Sequence, residues 1–201
     1  MIDEKGLLIV LSAPSGCGKG ELLKRAKERI NCFLSVSATT RGPRENETPG
    51  VTYHYITNEE FEKMIAENAL MEHAKFVDHY YGTPLRPVEE NRNKGIHTIL
   101  EIEVQGALQV RERFPEAILI FMLPPSIEEL HRRLTKRGTE DAATIEKRIR
   151  RFQDELEYTS KYDYVFVNDD LDEAVETFLS IIQNELRRPQ FVETSHLIDK
   201  M

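Results

Sequence analysis

The segment Leu7-Leu8-Ile9-Val10-Leu11-Ser12-Ala13-Pro14-Ser15-Gly16-Cys17-Gly18-Lys19 runs five aliphatic residues into a Pro/Gly loop that closes on a lysine. Beyond it, Leu22, Leu23, Ala26 and Ile30 recur at helical spacing with charges between them. The order is buried strand, Gly-rich loop, helix, which is the context of a phosphate-binding P-loop. Gly16 and Gly18 let the backbone approach an anion that a Cβ would hold away. Successive N–H groups then form a concave cradle at a helix N-terminus. Ala13, Pro14, Ser15, Gly16, Cys17, Gly18, Lys19 and Gly20 are therefore the candidate nucleotide loop, with Lys19 the mobile charge that follows the β- and γ-phosphates. Two positions depart from the nucleotide-binding pattern. Ala13 replaces its first Gly. Gly20, followed by Glu21, replaces the Ser or Thr whose hydroxyl holds magnesium.

The chain around this loop has 201 residues, enough for one domain with a real core and inserted lobes. A hydrophobic content of 40% and a charged content of 31% fit a globular protein. The net charge of −8 argues against a general nucleic-acid binder, so anion binding requires locally concentrated positive charge. Cys17 and Cys32 lack metal-ligand spacing and read as reduced thiols of a cytosolic protein. Met1 to Lys5 lacks the basic and apolar regions of a signal peptide. The longest apolar run, Ala117 to Leu123, is too short to cross a bilayer. The expectation is a cytoplasmic protein with neither membrane nor nucleic acid as partner.

Strands and helices alternate on either side of residues 33–83, which predicts an α/β fold around a central parallel sheet flanked by helices. Strands are expected at His97–Leu100, Ile118–Leu123 and Tyr164–Val167. Residues 33–83 break the rhythm. Phe33–Val36 and Tyr53–Ile56 read as strands, Thr57–Glu60 is a capping box opening a helix, and Leu70–Tyr81 reads as extended. This is the pattern of an inserted, mixed lobe. A second capping box, Ser126–Glu129, opens a helix that ends near Arg137. Arg132, Arg133, Arg137, Arg148, Arg150 and Arg151 crowd that helix and the next one, either as a solvated face or as the closing arm of a phosphate lid. Glu101 and Glu103 follow one strand and Asn168 follows another. With the P-loop they should emerge on one edge of the sheet, where α/β nucleotide sites keep their carboxylates.

In this order and spacing the residues resemble the guanylate kinases, ATP:GMP phosphotransferases of the nucleoside monophosphate kinase family, over about Gly6 to Arg188. The resemblance rests on Ser12 to Lys19, on Val36-Ser37-Ala38-Thr39-Thr40-Arg41-Gly42-Pro43-Arg44, and on Glu72 before Ala74-Lys75-Phe76. It continues with Tyr80-Tyr81-Gly82-Thr83-Pro84, Leu100-Glu101-Ile102-Glu103-Val104-Gln105-Gly106, Pro124-Pro125-Ser126, Arg137-Gly138-Thr139-Glu140 and Val167-Asn168-Asp169-Asp170. It implies a P-loop kinase core at 1–32, 84–125 and 159–201, a GMP-binding lobe at 33–83 and a helical lid at 126–158.

It also implies roles. Arg41, Arg44, Tyr53 and Tyr81 would clamp the GMP phosphate. Ser37, Glu72, Thr83 and Glu103 would face guanine. Lys19, Arg41, Arg137 and Arg148 would carry the catalytic charge, with Arg133 on the nucleotide and lid side and Asn168 at adenine. The co-substrate would be ATP with Mg2+. The ion would be held by phosphate oxygens and water, with no protein ligand of its own and with Glu101 as an outer-shell acceptor. The implied setting is purine nucleotide metabolism, and a homodimer is left open. Two rival readings remain: a related module that only binds protein partners, and a kinase of the same shape acting on a ribose phosphate. The retained Gly16, Gly18, Lys19, Arg137 and Arg148 oppose the first, and Ser37 with Glu72 opposes the second.

Overall fold

A computed structural model describes residues 5–45, 47–76, 78–136 and 141–188. In chain order these form β1 (Leu8–Ser12), α1 (Lys19–Lys27), β2 (Cys32–Leu34), β3 (Ala38–Thr39), β4 (His54–Tyr55), α2 (Asn58–Ala66), β5 (Leu70–Phe76) and β6 (His79–Pro84). Then follow α3 (Leu85–Arg92), β7 (His97–Glu101), α4 (Val104–Arg113), β8 (Ile118–Leu123), α5 (Ile127–Lys136), α6 (Ala142–Leu156), β9 (Tyr164–Val167) and α7 (Leu171–Glu185).

The core is a parallel five-stranded sheet in the order β2-β7-β1-β8-β9. Its middle strands carry near-continuous apolar runs, Leu8–Leu11 and Ile118–Leu123, because both faces are covered. Ile9, Leu11, Ile118, Ile120 and Met122 point to the side of α1 and α7, where Leu22, Leu23, Ala26, Val175 and Phe178 meet them. Leu8, Val10, Leu119 and Phe121 point the other way, against Val104 and Ala107 of α4, Leu130 and Leu134 of α5, and Ile145, Ile149 and Phe152 of α6. The two arginine-rich helices thus give their apolar stripes to the main core and turn their charges outward.

A second, mixed sheet has the order β4-β3-β6-β5 and spans residues 38–84, with Phe61 of α2 filling its small core. Phe33 and Leu34, expected in the inserted lobe, instead pair with Thr98 and Ile99 in the main sheet. An apolar tripeptide completes an open parallel edge there, and the chain crosses to the second sheet only afterwards. The second sheet is fastened to α4. Gln109 both accepts from the His73 N–H at 3.1 Å and donates to the His73 carbonyl at 2.8 Å. Arg113 donates to the carbonyls of Leu70 and Met71 at 2.7 and 2.9 Å.

The expected caps form. Thr57 and Glu60 make a complete capping box on α2. Ser126 accepts from the Glu129 N–H at 3.1 Å, but the Glu129 carboxylate is drawn to Arg132 and Arg133.

Candidate active site

Gly16 and Gly18 have φ of 91° and 93°, the left-handed region that favours glycine. They turn the chain from β1 into α1, whose N-terminus opens on the loop. A Cβ on Gly16 would come within 2.8 Å of Leu134, and one on Gly18 within 2.8 Å of the Asn168 amide nitrogen. The loop is braced from below. Asn168 is buried, and its Nδ2 donates to the Cys17 carbonyl at 2.7 Å. The Cys17 thiol points inward to the Met122 carbonyl at 3.7 Å, and burial raises it to about 12. Cys17 can therefore serve an anion only through its backbone.

Lys19 Nζ donates to the Ala13 carbonyl at 2.9 Å. Arg148 of α6 reaches Ser15 Oγ. Arg133 donates to the Asn168 carbonyl at 3.1 Å and to Glu129 at 2.8 Å. Among the residues expected at the nucleotide side, Arg137 alone lies outside the described residues. Asn168, expected at adenine, spends its amide donor on the loop itself.

The second sheet builds a different kind of site. Its β3 and β6 run antiparallel, with Thr39 opposite Tyr81. Arg41, just past β3, donates to the Tyr81 hydroxyl at 3.2 Å and lies 5.6 Å from the centre of the Tyr53 ring. Its guanidinium fork holds the Glu47 carboxylate at 2.9 and 2.8 Å. Glu47 also accepts from the Arg44 N–H and from the Tyr55 hydroxyl, each at 2.8 Å. The Arg41 bonds, aided by those others against desolvation, hold its carboxyl down at about 2. Arg41, Tyr55 and the Arg44 backbone thus give four hydrogen bonds to one carboxylate, an arrangement of donors that suits an anion.

Across the same sheet Glu72 is 5% exposed, and its Oε1 accepts from the Thr83 hydroxyl at 2.8 Å. The Thr83 and Ser37 hydroxyls lie 3.4 Å apart. The other Glu72 oxygen rests on the bare Cα of Gly106, where a Cβ would stand only 2.5 Å from it. Burial raises the Glu72 carboxyl to about 7, with the Thr83 bond opposing and the nearby charge of Glu103 adding. Glu103 caps α4 and is joined to Arg151. Glu101 ends β7 opposite Leu11 of β1, one strand over from the P-loop, and its charge is felt at Tyr53. Ser12 Oγ closes this edge by donating to the Ile102 carbonyl at 2.8 Å.

A glycine-turned loop at the end of β1 thus stands in the main sheet, and a buried carboxylate beside an arginine fork in the second. A family model described as guanylate kinase matches residues 5–185. The chain belongs to the guanylate kinase family. It is 52% identical over 182 residues to a guanylate kinase of Caldanaerobacter subterraneus subsp. tengcongensis, covering 90% of this chain and 88% of the relative. It is 49% identical over 197 residues to one of Clostridium tetani, covering 98% and 95%. The crystal structure of guanylate kinase from Anaplasma phagocytophilum superposes with a TM-score of 0.79 at 32% identity, covering 99% of this chain and 96% of that one. This guanylate kinase is an ATP-dependent nucleoside monophosphate kinase that moves the γ-phosphoryl group of ATP to GMP, giving ADP and GDP.

In this guanylate kinase the structure joins Ser37, Glu72 and Thr83 in one polar chain, and Arg41, Tyr53 and Tyr81 in another. Arg44 is exposed and enters through its backbone. Two residues escaped the sequence reading as site groups. Glu47 lies in a polar loop with no periodicity to mark it. Arg151 was one of six crowded arginines and had nothing to single it out. Among the described residues no helix is long and apolar enough to cross a membrane.

Proposed function

We propose that GMP binds on the second sheet and ATP on the P-loop, with the two phosphates meeting at the edge formed by β1 and β7. The phosphate of GMP takes the Arg41 fork, with Arg44, Tyr53 and Tyr81, and Glu47 withdraws from it. Guanine lies against Ser37, Glu72, Thr83 and Glu103. Its ring N–H and exocyclic amine are donors, which an ionised carboxylate accepts. The Ser37 hydroxyl donates to its carbonyl. ATP phosphates lie on the backbone N–H groups of Ser15 to Lys19. Arg133 and Asn168 hold the nucleotide end, and Arg137 belongs with Arg148 on the lid side.

A GMP phosphate oxygen attacks the γ-phosphorus in line, and the bond to the ADP oxygen breaks with its electron pair leaving on ADP. No covalent enzyme intermediate is needed, so positioning and charge neutralisation carry the catalysis. Lys19 and Arg148 place positive charge on the transferred group, and α6 closes water away from it.

Magnesium fits this donor set as an ion carried on ATP. Gly20 offers no hydroxyl, although a Cβ there would meet nothing within 4 Å. Among the described residues no three His, Cys, Asp or Glu cluster as a cage. Glu101, at the adjacent strand end, would accept from the ion's waters. When bound, the ion supplies charge neutralisation between the phosphates. The reading also assigns the enzyme to the cytoplasm, where its nucleotides are held.

The observation that carries this reading is the buried Glu72–Thr83–Ser37 chain in the same sheet as the Arg41 anion fork. Adenine would offer Glu72 a ring nitrogen lone pair and leave the carboxylate unpaired. The test is a coupled assay with GMP, dGMP, AMP and UMP. AMP should fall roughly four powers of ten below GMP in kcat/KM, because a site built to hydrogen-bond its substrate rejects one that leaves it unpaired. Glu72→Gln should lose GMP turnover and keep ATP binding. Equal use of GMP and AMP would defeat the reading.

A further inference from the structure

Arg151 stands on α6 where three parts of the molecule meet. Its guanidinium donates to Oε2 of Glu103 at the start of α4, and its Nε donates to Glu155 one turn along α6 at 3.1 Å. Its Cζ lies 4.9 Å from the centre of the Phe76 ring on β5. Phe76 is 47% exposed, so core packing does not account for the ring. Its face is in cation–π position for the guanidinium instead. None of the steps of phosphoryl transfer uses Arg151.

We infer that Arg151 is a positioning residue for guanine recognition, which fixes the Glu103 carboxylate and ties it at once to α6 and to the GMP-side sheet. The inference rests on the reading of Glu103 as guanine-facing. The Glu103 side chain is 57% exposed, and a solvated glutamate loses rotamer freedom when a ligand orders it. One charge-assisted bond, from a guanidinium held in turn by Glu155 and the Phe76 ring, limits where the Glu103 carboxylate can go. Oε2 receives Arg151, so Oε1 meets the guanine donor, and the ordering cost is met before GMP arrives. The Phe76 ring ties the guanidinium to β5 as well, which keeps it from swinging with α6 alone. Arg148, three residues earlier on the same helix face, bonds Ser15 of the P-loop. One helix therefore touches both substrate sites. An exposed ion pair kept only for stability would contribute little and would leave the Michaelis constants alone.

The test is steady-state kinetics of the full chain with magnesium-ATP, varying GMP and ATP separately, for Arg151→Ala, Arg151→Lys, Phe76→Ala and Glu103→Gln. Arg151→Ala should raise KM for GMP about tenfold, the loss of one charge-assisted bond. Its kcat should stay within about threefold, because no transition-state contact is removed. Arg151→Lys should recover part of the KM, keeping charge without fork or stack. Phe76→Ala should raise KM by about twofold to threefold and add nothing on top of Arg151→Ala, as expected for groups acting through one another.

If Glu103→Gln raises KM for GMP while Arg151→Ala leaves it within about twofold of the parent, the inference falls and the guanine-facing reading stands. If Glu103→Gln leaves it unchanged, that reading of Glu103 falls and takes the inference with it. Should Arg151→Ala not fold, an unchanged KM in both Arg151→Lys and Phe76→Ala overturns the inference.

Discussion

At the scale of single residues, Glu72 and Glu47 show how one sheet gives two carboxyls opposite characters. Glu47 lies in a guanidinium fork and is held at about 2. Glu72 is buried away from any cation and is raised to about 7. A carboxyl raised on folding binds more protons folded than unfolded between its ordinary value of 4.5 and about 7, so its contribution to stability is full below that window and is lost as pH rises through it. On the proposed reading guanine reverses the preference, since its donors favour the ionised form. Two outcomes follow from the signs. The melting temperature of the parent should fall relative to Glu72→Gln by at least about 2 °C between about pH 5 and 8. The affinity for GMP should rise over the same range by more than that for ribose 5-phosphate, which shares the phosphate and lacks the base. A pH-independent difference in melting temperature between parent and variant would show that Glu72 ionises as an ordinary surface carboxyl.

At the scale of elements, α4 meets the proposed acceptor site twice. Its capping residue is Glu103, and its first turn brings Gly106 against Glu72. Helix propensity alone would favour alanine at Gly106 by about 1 kcal/mol. The contact decides the other way, because a Cβ at 2.5 Å from a carboxylate oxygen requires one of them to move. Gly106→Ala should therefore lower the melting temperature despite its better helix propensity and raise KM for GMP at least about tenfold, since a displaced carboxylate loses its guanine bonds. Unchanged GMP kinetics in a folded Gly106→Ala protein would place guanine elsewhere. The α5 and α6 helices show a comparable division. Leu130, Leu134, Ile145, Ile149 and Phe152 seat them on the main sheet, while Arg133 reaches the β9 end, Arg148 the loop and Arg151 the second sheet.

At the scale of the whole molecule, a chain of net charge −8 must bring two polyanions into contact. Arg41, Lys19, Arg133 and Arg148 concentrate positive charge at the sheet edge, but the phosphates carry more than they neutralise. On the proposed reading the remaining charge is met by magnesium carried on ATP, held by phosphate oxygens and water. Phosphoryl transfer should vanish in EDTA and return with added magnesium, while GMP binding without ATP, measured by calorimetry, should be indifferent to EDTA. Turnover that survives chelation would remove the metal from the reaction.

Much of this was written in local sequence. The run Leu7–Leu11 and the glycines after it specify strand, loop and helix within a few residues of one another, and so do the Thr57 and Ser126 caps. These signals act through backbone geometry and need no distant partner. The order of motifs was enough to place the chain among the guanylate kinases. Tertiary structure decided what depends on residues far apart in the chain. Phe33 and Leu34 read as part of the inserted lobe until the open edge of β7 claimed them. The ionisation of Glu72 depends on burial by Gly106 and Thr83, and no stretch around position 72 encodes that burial. Glu47 fills the Arg41 fork because a loop folds back on itself, and Arg151 meets Glu103 and Phe76 because α6 seats its apolar stripe on the main sheet beside α4 and the end of β5. Hydrophobic periodicity specifies which face of an element is buried. Which charges then meet is set by how those faces stack.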